Sequence, residues 1–125
     1  MNPAPDTASR WERARAWIAQ SVAAIDTPSL VIDLDAMERN LARMAAFARE
    51  HGVRLRPHAK MHKSAELAKL QMGHGAVGVC VQKTDEALAL AQAGVGDIYI
   101  SNEVIAPSKL LRLALAVRQQ ATRFS

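Results

Sequence analysis

Residues 76–101 read AVGVCVQKTDEALALAQAGVGDIYIS, and the order of segment types within them decides the fold. AVGVCVQ and DIYIS are short runs rich in β-branched residues, the composition of strands. Between them, TDEALALAQA carries alanine and leucine at helical spacing, with Thr84 as the expected N-cap and Gly94 as the expected stop. Strand, helix and strand in so short a span make a β-α-β unit, whose strands run parallel with the helix as crossover.

The alternation extends in both directions. Upstream, VRLRPHA (53–59) is strand-like, and SAELAKLQM is helical, with Ser64 as N-cap and Gly73 able to end it. Further upstream, LVIDL (30–34) follows Pro28 and predicts the first strand. DAMERNLARMAAFAREHG then predicts a helix with Met37, Leu41, Met44 and Ala48 on one face. Asp35 with Glu38 resembles a capping box, and Gly52 suits a left-handed stop. Downstream, PSKLLRLALAVRQQ predicts a fourth helix with Pro107 in its first turn.

Four β-α units in series give an α/β fold with a parallel sheet, closed either as an open doubly wound sheet or as part of a (β/α)8 barrel. A barrel needs about 250 residues. On that reading this chain of 125 residues holds the N-terminal half, and QQATRFS ends where another strand should begin, as in a fragment. Residues 1–25 read as an N-terminal extension with a short amphipathic helix, and 26–125 as a partial barrel domain.

Composition removes several function classes. Half of the residues are hydrophobic and 22% are charged, an ordinary globular mixture. The formal charge of +4 owes much to Arg10, Arg13 and Arg15 at one end and to Arg112, Arg118 and Arg123 at the other. Aromatics are only 4%, too few for a base-stacking surface, so no nucleic-acid partner is expected. No apolar run approaches the roughly 20 residues that span a bilayer, so no membrane role is expected either. Cys80 is the single cysteine, which excludes an internal disulfide and fits a reducing, cytoplasmic compartment. Its place in the middle of a strand makes it a small interior residue rather than a nucleophile.

Three motifs compete for the chemistry. GHGAVG (Gly73, Gly75, Gly78) matches the dinucleotide-binding glycine pattern, but a helix precedes it and a strand follows, the reverse of the context that pattern needs. These glycines read as a helix end and a turn. His58 and His62 are four apart, yet Pro57 and the extended residues before it put His58 on a strand end, and no nearby acidic residue completes a metal set. The third is RPHAKMHKS (56–64). On a strand, Arg54, Arg56, His58 and Lys60 share one side. If that side faces a barrel interior, Lys60 arrives at the C-terminal mouth, where active sites form.

A lysine attacks an aldehyde only as the neutral amine, scarce at neutral pH because the ordinary pKa is about 10.4. Desolvation and nearby positive charge both favour the neutral form, and such a lysine can form a Schiff base. A solvated basic loop reaching toward Glu66 is the competing reading. Gln82 ends the third predicted strand, and Ser101 with Asn102 ends the fourth. All three are uncharged hydrogen-bonding residues able to orient a small polar ligand, although polar residues commonly end strands.

DTPSLVIDLDAMERNLARMA, LRPHAKMHKS, GVCVQKTDEALALAQAG and DIYISNEV, in this order, resemble the N-terminal region of D-threonine aldolases. Those enzymes and the related eukaryotic-type D-serine dehydratases are alanine-racemase-like (fold type III) pyridoxal-phosphate enzymes. The resemblance implies a (β/α)8 barrel followed by a β domain, with Lys60 bonded to pyridoxal 5'-phosphate and with His58 and Arg56 lining its pocket. Met61 stands where threonine is commonest in the motif, a change of packing beside the lysine. The implied reaction is aldol cleavage of a D-3-hydroxy amino acid to glycine and an aldehyde; D-serine dehydration, amino-acid racemisation and an inactive truncated product are the alternatives. The resemblance further implies a homodimer, and a divalent metal only in a full-length form. A half barrel exposes strand edges. The chain alone is therefore expected to be poorly stable and to turn over little substrate.

Overall fold

A computed structural model describes residues 15–120 and 122–125. The chain divides into two units, Met1–Leu34 and Asp35–Ser125. Most of the expected N-terminal amphipathic helix lies outside the described residues. Within the first unit, one 3-10 turn, Val22–Ala24, is capped by the Ser21 hydroxyl, which accepts from the Ala23 N–H at 3.3 Å.

Residues 30–33 do not form the predicted first strand. A strand exists through its ladder, and the three strands among the described residues form theirs with one another. Leu30 is 91% exposed despite its strand-like composition. Helix α1, Leu34–Glu50, starts at the end of the run, so Asp35 sits inside the first turn rather than at the cap. Its buried residues are Ala45 and Ala48, below half-buried Met37 and Leu41. Met44, expected on that face, is turned one position away and is 46% exposed. Gly52 supplies the left-handed stop at φ 63°, as expected.

The remaining elements are α2 (Ala65–Gly73), β1 (Val79–Val81), α3 (Thr84–Gln92), β2 (Asp97–Ile100), α4 (Pro107–Gln120) and β3 (Arg123–Phe124). Ser64 caps α2 by accepting the Leu67 N–H at 3.2 Å. Replacing Ser64 with alanine should cost about 1 kcal/mol of stability, read as a lower urea midpoint with an unchanged slope. Helix α2 ends at Gly73, but the left-handed turn falls at Gly75, at φ 105°. Helix α3 is entered through Lys83, not Thr84, because Glu86 reaches back to accept the Lys83 N–H at 3.2 Å.

The sheet is parallel throughout, in the order β1-β2-β3. Its register pairs Cys80 with Tyr99 and Asp97 with Arg123. Residues 55–59 run along the free edge of β1: the Val77 N–H donates to Leu55, the Cys80 N–H to Pro57 and the Ala59 N–H to Cys80, at 2.7–2.9 Å. Only the His58–Cys80 bridge is regular. Pro57 has no N–H to give the ladder, which thins the second predicted strand to this bridge.

Strands added in one direction in chain order, with helices on a single face, are the arrangement of a barrel. A doubly wound sheet reverses its order and covers both faces. The helix-facing side holds Val79, Val81 and Ile98, each 0% exposed, and alanines of α2 and α3 let those helices approach closely. On the opposite face Tyr99 is 44% exposed. The chain has the arrangement of the N-terminal part of a TIM-type α/β barrel.

Candidate active site

Paired residues of parallel strands point to the same side, so the register lays out the inner face in levels. At the N-terminal ends, Arg56 Nη1 donates to Asp97 Oδ1 at 2.7 Å, and the Arg123 guanidinium lies 4.0 Å from Oδ2 of the same carboxylate. Gly78 makes room for this group: a Cβ there would fall 2.5 Å from Arg56 Nη1 and 2.5 Å from the Asp97 carbonyl oxygen. In the middle, His58, Cys80 and Tyr99 are aligned by the ladder. At the C-terminal ends stand Lys60 and Gln82, with Ser101 one residue beyond the Val81–Ile100 pair.

The structure brings Lys60 and Gln82 together. Half-buried Lys60 directs Nζ at Gln82 Oε1, 3.5 Å away, and not toward Glu66, which pairs with Lys69 at 3.5 Å. Ser101 is fixed beside them, its N–H and hydroxyl both donating to the Val81 carbonyl, at 2.8 and 3.1 Å. His58 lies on the same face two residues before Lys60. Arg56 does not join this group, being held four residues back by Asp97 and, at 3.5 Å, by the Val79 carbonyl. Asn102 does not join it either: with Val104, Leu113 and Phe124 it lines a separate cavity of about 270 Å³.

The turn carrying Lys60 is closed by its own backbone. The Lys63 N–H donates to the Ala59 carbonyl at 2.8 Å, and Lys63 adopts the left-handed conformation at φ 52°. The Ser64 N–H then donates to His62 Nδ1 at 3.1 Å, so Nδ1 acts as an acceptor, not a metal ligand. Among the described residues no group of three His, Cys, Asp or Glu side chains could hold a metal ion. No helix among them is long and apolar enough to cross a membrane.

Glu86 was not legible as a site residue. Its Oε2 accepts the N–H groups of Gln82 and Lys83 at 3.1 and 3.2 Å, while Oε1 lies 3.5 Å from Lys63 Nζ. Burial works to raise its pKa, but the two N–H donors and the Lys63 ammonium together outweigh burial and lower it from the ordinary 4.5. A group whose folded-state pKa is depressed contributes stability above its unfolded value and loses it as pH falls through the folded value. The urea-midpoint gap between the parent chain and Glu86→Gln should therefore be full at neutral pH and should close as pH falls below 4.5. The only sequence trace of this role is a glutamate three residues after Lys83, the spacing of a helix-start acceptor.

Comparison with known proteins adds four findings. Residues 32–122 match the family model described as alanine racemase, N-terminal domain. The chain is 53% identical over 97 residues to the D-threonine aldolase of Arthrobacter sp, covering 78% of this chain and 26% of that protein. It is 50% identical over 99 residues to the 3-hydroxy-D-aspartate aldolase of Paracoccus denitrificans, with the same coverage of 78% and 26%. The crystal structure of D-threonine aldolase from Filomicrobium marinum superposes with a TM-score of 0.78 at 50% identity, over 82% of this chain and 27% of that one. The chain thus spans about a quarter of the length of these relatives.

Proposed function

Because the chain belongs to the alanine racemase N-terminal domain family, we propose that it supplies the cofactor-bearing part of a pyridoxal-phosphate-dependent lyase that cleaves D-3-hydroxy amino acids. D-threonine would yield glycine and acetaldehyde. The observation that carries this reading is the place of Lys60: a half-buried primary amine at the C-terminal end of parallel strands, 3.5 Å from a side-chain acceptor. Two relatives bear the names of aldolases for D-threonine and 3-hydroxy-D-aspartate, which supports the substrate class.

The donor set suits the cofactor. Lys60 offers the amine for the aldehyde carbon, and Gln82 and Ser101 offer polar atoms beside it. When bound, pyridoxal phosphate supplies an electron sink for the charge left on Cα as a bond to it breaks. Gln82 accepts a proton of the Lys60 amine and so sets the direction from which that nitrogen meets a ligand. Its neutrality matters, because a carboxylate there would hold the lysine as an ammonium. His58, on the same face, can hold or move a proton at a ring nitrogen. Arg56, engaged with Asp97, acts on the pocket by fixing the extended segment that leads into the turn carrying Lys60. The described residues do not fit a metal centre, and no step is assigned to one.

The substrate class is tested by adding D-threonine or L-threonine to the chain supplied with pyridoxal phosphate, following the cofactor's absorbance and assaying glycine. A response to the D-isomer alone is expected, with glycine as the product. An equal response to both isomers would contradict the reading, and 2-oxobutanoate in place of glycine would move it to dehydration.

A further inference from the structure

The geometry points to Glu86 as the positioning residue that holds Gln82 against the amine of Lys60, an inference that rests on Lys60 being the cofactor-bearing lysine. Neither Lys60 nor Gln82 is anchored by a rigid element. Lys60 lies in a turn after a ladder that Pro57 has thinned, and Gln82 follows the last residue of β1. One carboxylate ties both loops. Glu86 Oε2 takes the Gln82 and Lys83 N–H groups, which fixes the backbone that carries the Gln82 side chain. Glu86 Oε1 faces Lys63 Nζ, on the turn that carries Lys60. Glu86 has 15% of its side chain exposed, and Lys63 across the 3.5 Å contact has 65%.

An ordinary helix cap would need only the Lys83 contact. The Gln82 and Lys63 contacts reach outside the helix, and they end on the two loops whose side chains meet. Glu86 bonds to the Gln82 and Lys83 amides and pairs with Lys63, so it acts through Gln82 and through the turn. It sets the separation and angle between the lysine nitrogen and its acceptor.

The test needs no cofactor. Hydrogen exchange at the Gln82 and Lys83 amides is measured together with the rate of acetylation of Lys60 relative to Lys109 by an N-hydroxysuccinimide ester. In Glu86→Ala both amides should exchange about tenfold faster, as expected for loss of a charge-assisted hydrogen bond. The Lys60 to Lys109 ratio should shift by about threefold or more, the equivalent of one neutral hydrogen bond. Glu86→Gln, which keeps an oxygen for the amides, should restore most of the amide protection and of the Lys60 ratio. Ala89→Gly, an exposed change in the same helix, serves as the control for helix destabilisation alone. An unchanged Lys60 ratio in Glu86→Ala, or an equal shift in Ala89→Gly, would overturn the assignment. Because acetylation proceeds without pyridoxal phosphate, failure of cofactor capture at Lys60 would strike the proposed function and leave this result readable by itself.

Discussion

Replacing Lys60 with alanine is expected to abolish borohydride-stable capture of pyridoxal phosphate while leaving the fold intact. The amine condenses with the aldehyde and expels water, and reduction converts the carbon–nitrogen link to a secondary amine that survives digestion. Alanine has no nitrogen to offer. The side chain's packing role is small: Lys60 is only half buried, and its one side-chain hydrogen bond, to Gln82, is long at 3.5 Å. Its removal should cost no more than about 0.5 kcal/mol, the range of surface substitutions. The measurement is paired: label stoichiometry by mass spectrometry, and urea midpoint by circular dichroism. Loss of label with an unchanged midpoint is the expected pattern. Loss of both would make Lys60 a structural residue.

Gly78→Ala should be the most damaging of the glycine-to-alanine changes. The added Cβ would lie 2.5 Å from Arg56 Nη1, 2.5 Å from the Asp97 carbonyl oxygen and 2.9 Å from the Asp97 Cβ. Two of those three atoms cannot swing aside: one is backbone and one is a Cβ fixed to it. The guanidinium can move only by lengthening its 2.7 Å contact with Asp97. Overpacking of this kind costs about 1–3 kcal/mol, and the strained ion pair places this change at the upper end. Gly73→Ala is the matched control, since a Cβ at that helical glycine meets nothing within 4 Å. It should be neutral or stabilising by up to about 1 kcal/mol. Urea unfolding of both variants checks the contrast. If Gly78→Ala proved as mild as Gly73→Ala, the close approach of the Arg56 level to β1 would be wrong.

Much of this architecture was legible because it rests on local chemistry. AVGVCVQ and DIYIS became β1 and β2, and PSKLLRLALAVRQQ became α4 residue for residue, because composition, periodicity and a first-turn proline all agree there. The misses in strand pairing and in the buried face share a different cause: each depends on a partner far away in sequence. LVIDL has strand composition, but composition cannot supply a ladder. Pro57 keeps an extended backbone yet removes a donor, so its segment follows β1 through scattered bonds and a single regular bridge. Met44 lost its expected place to Ala45 because the buried stripe tracks what α1 lies against, which spacing alone cannot specify.

The candidate site divides in the same way. Lys60 and Gln82 could be paired from sequence because both follow strand ends, and equivalent positions on neighbouring parallel strands meet at one rim. Arg56 could be placed on the right face but not at the right level, since its partner Asp97 is 41 residues away and only the register joins them. Asn102 follows Ser101 by one residue, and that single step turns it to the other side of the sheet, toward Phe124. Glu86 was hidden for the opposite reason: as an ordinary helix-start glutamate its sequence context is complete without any site.

The most direct test of the central claim is to find where the cofactor attaches. The chain is mixed with pyridoxal phosphate, reduced with borohydride and digested, and the label is mapped among Lys60, Lys63, Lys69, Lys83 and Lys109. Label concentrated on Lys60, at a pyridoxal phosphate level where the other four stay largely unmodified, is the predicted result. Label spread over the five lysines in proportion to their exposure, and undiminished overall in Lys60→Ala, would contradict it.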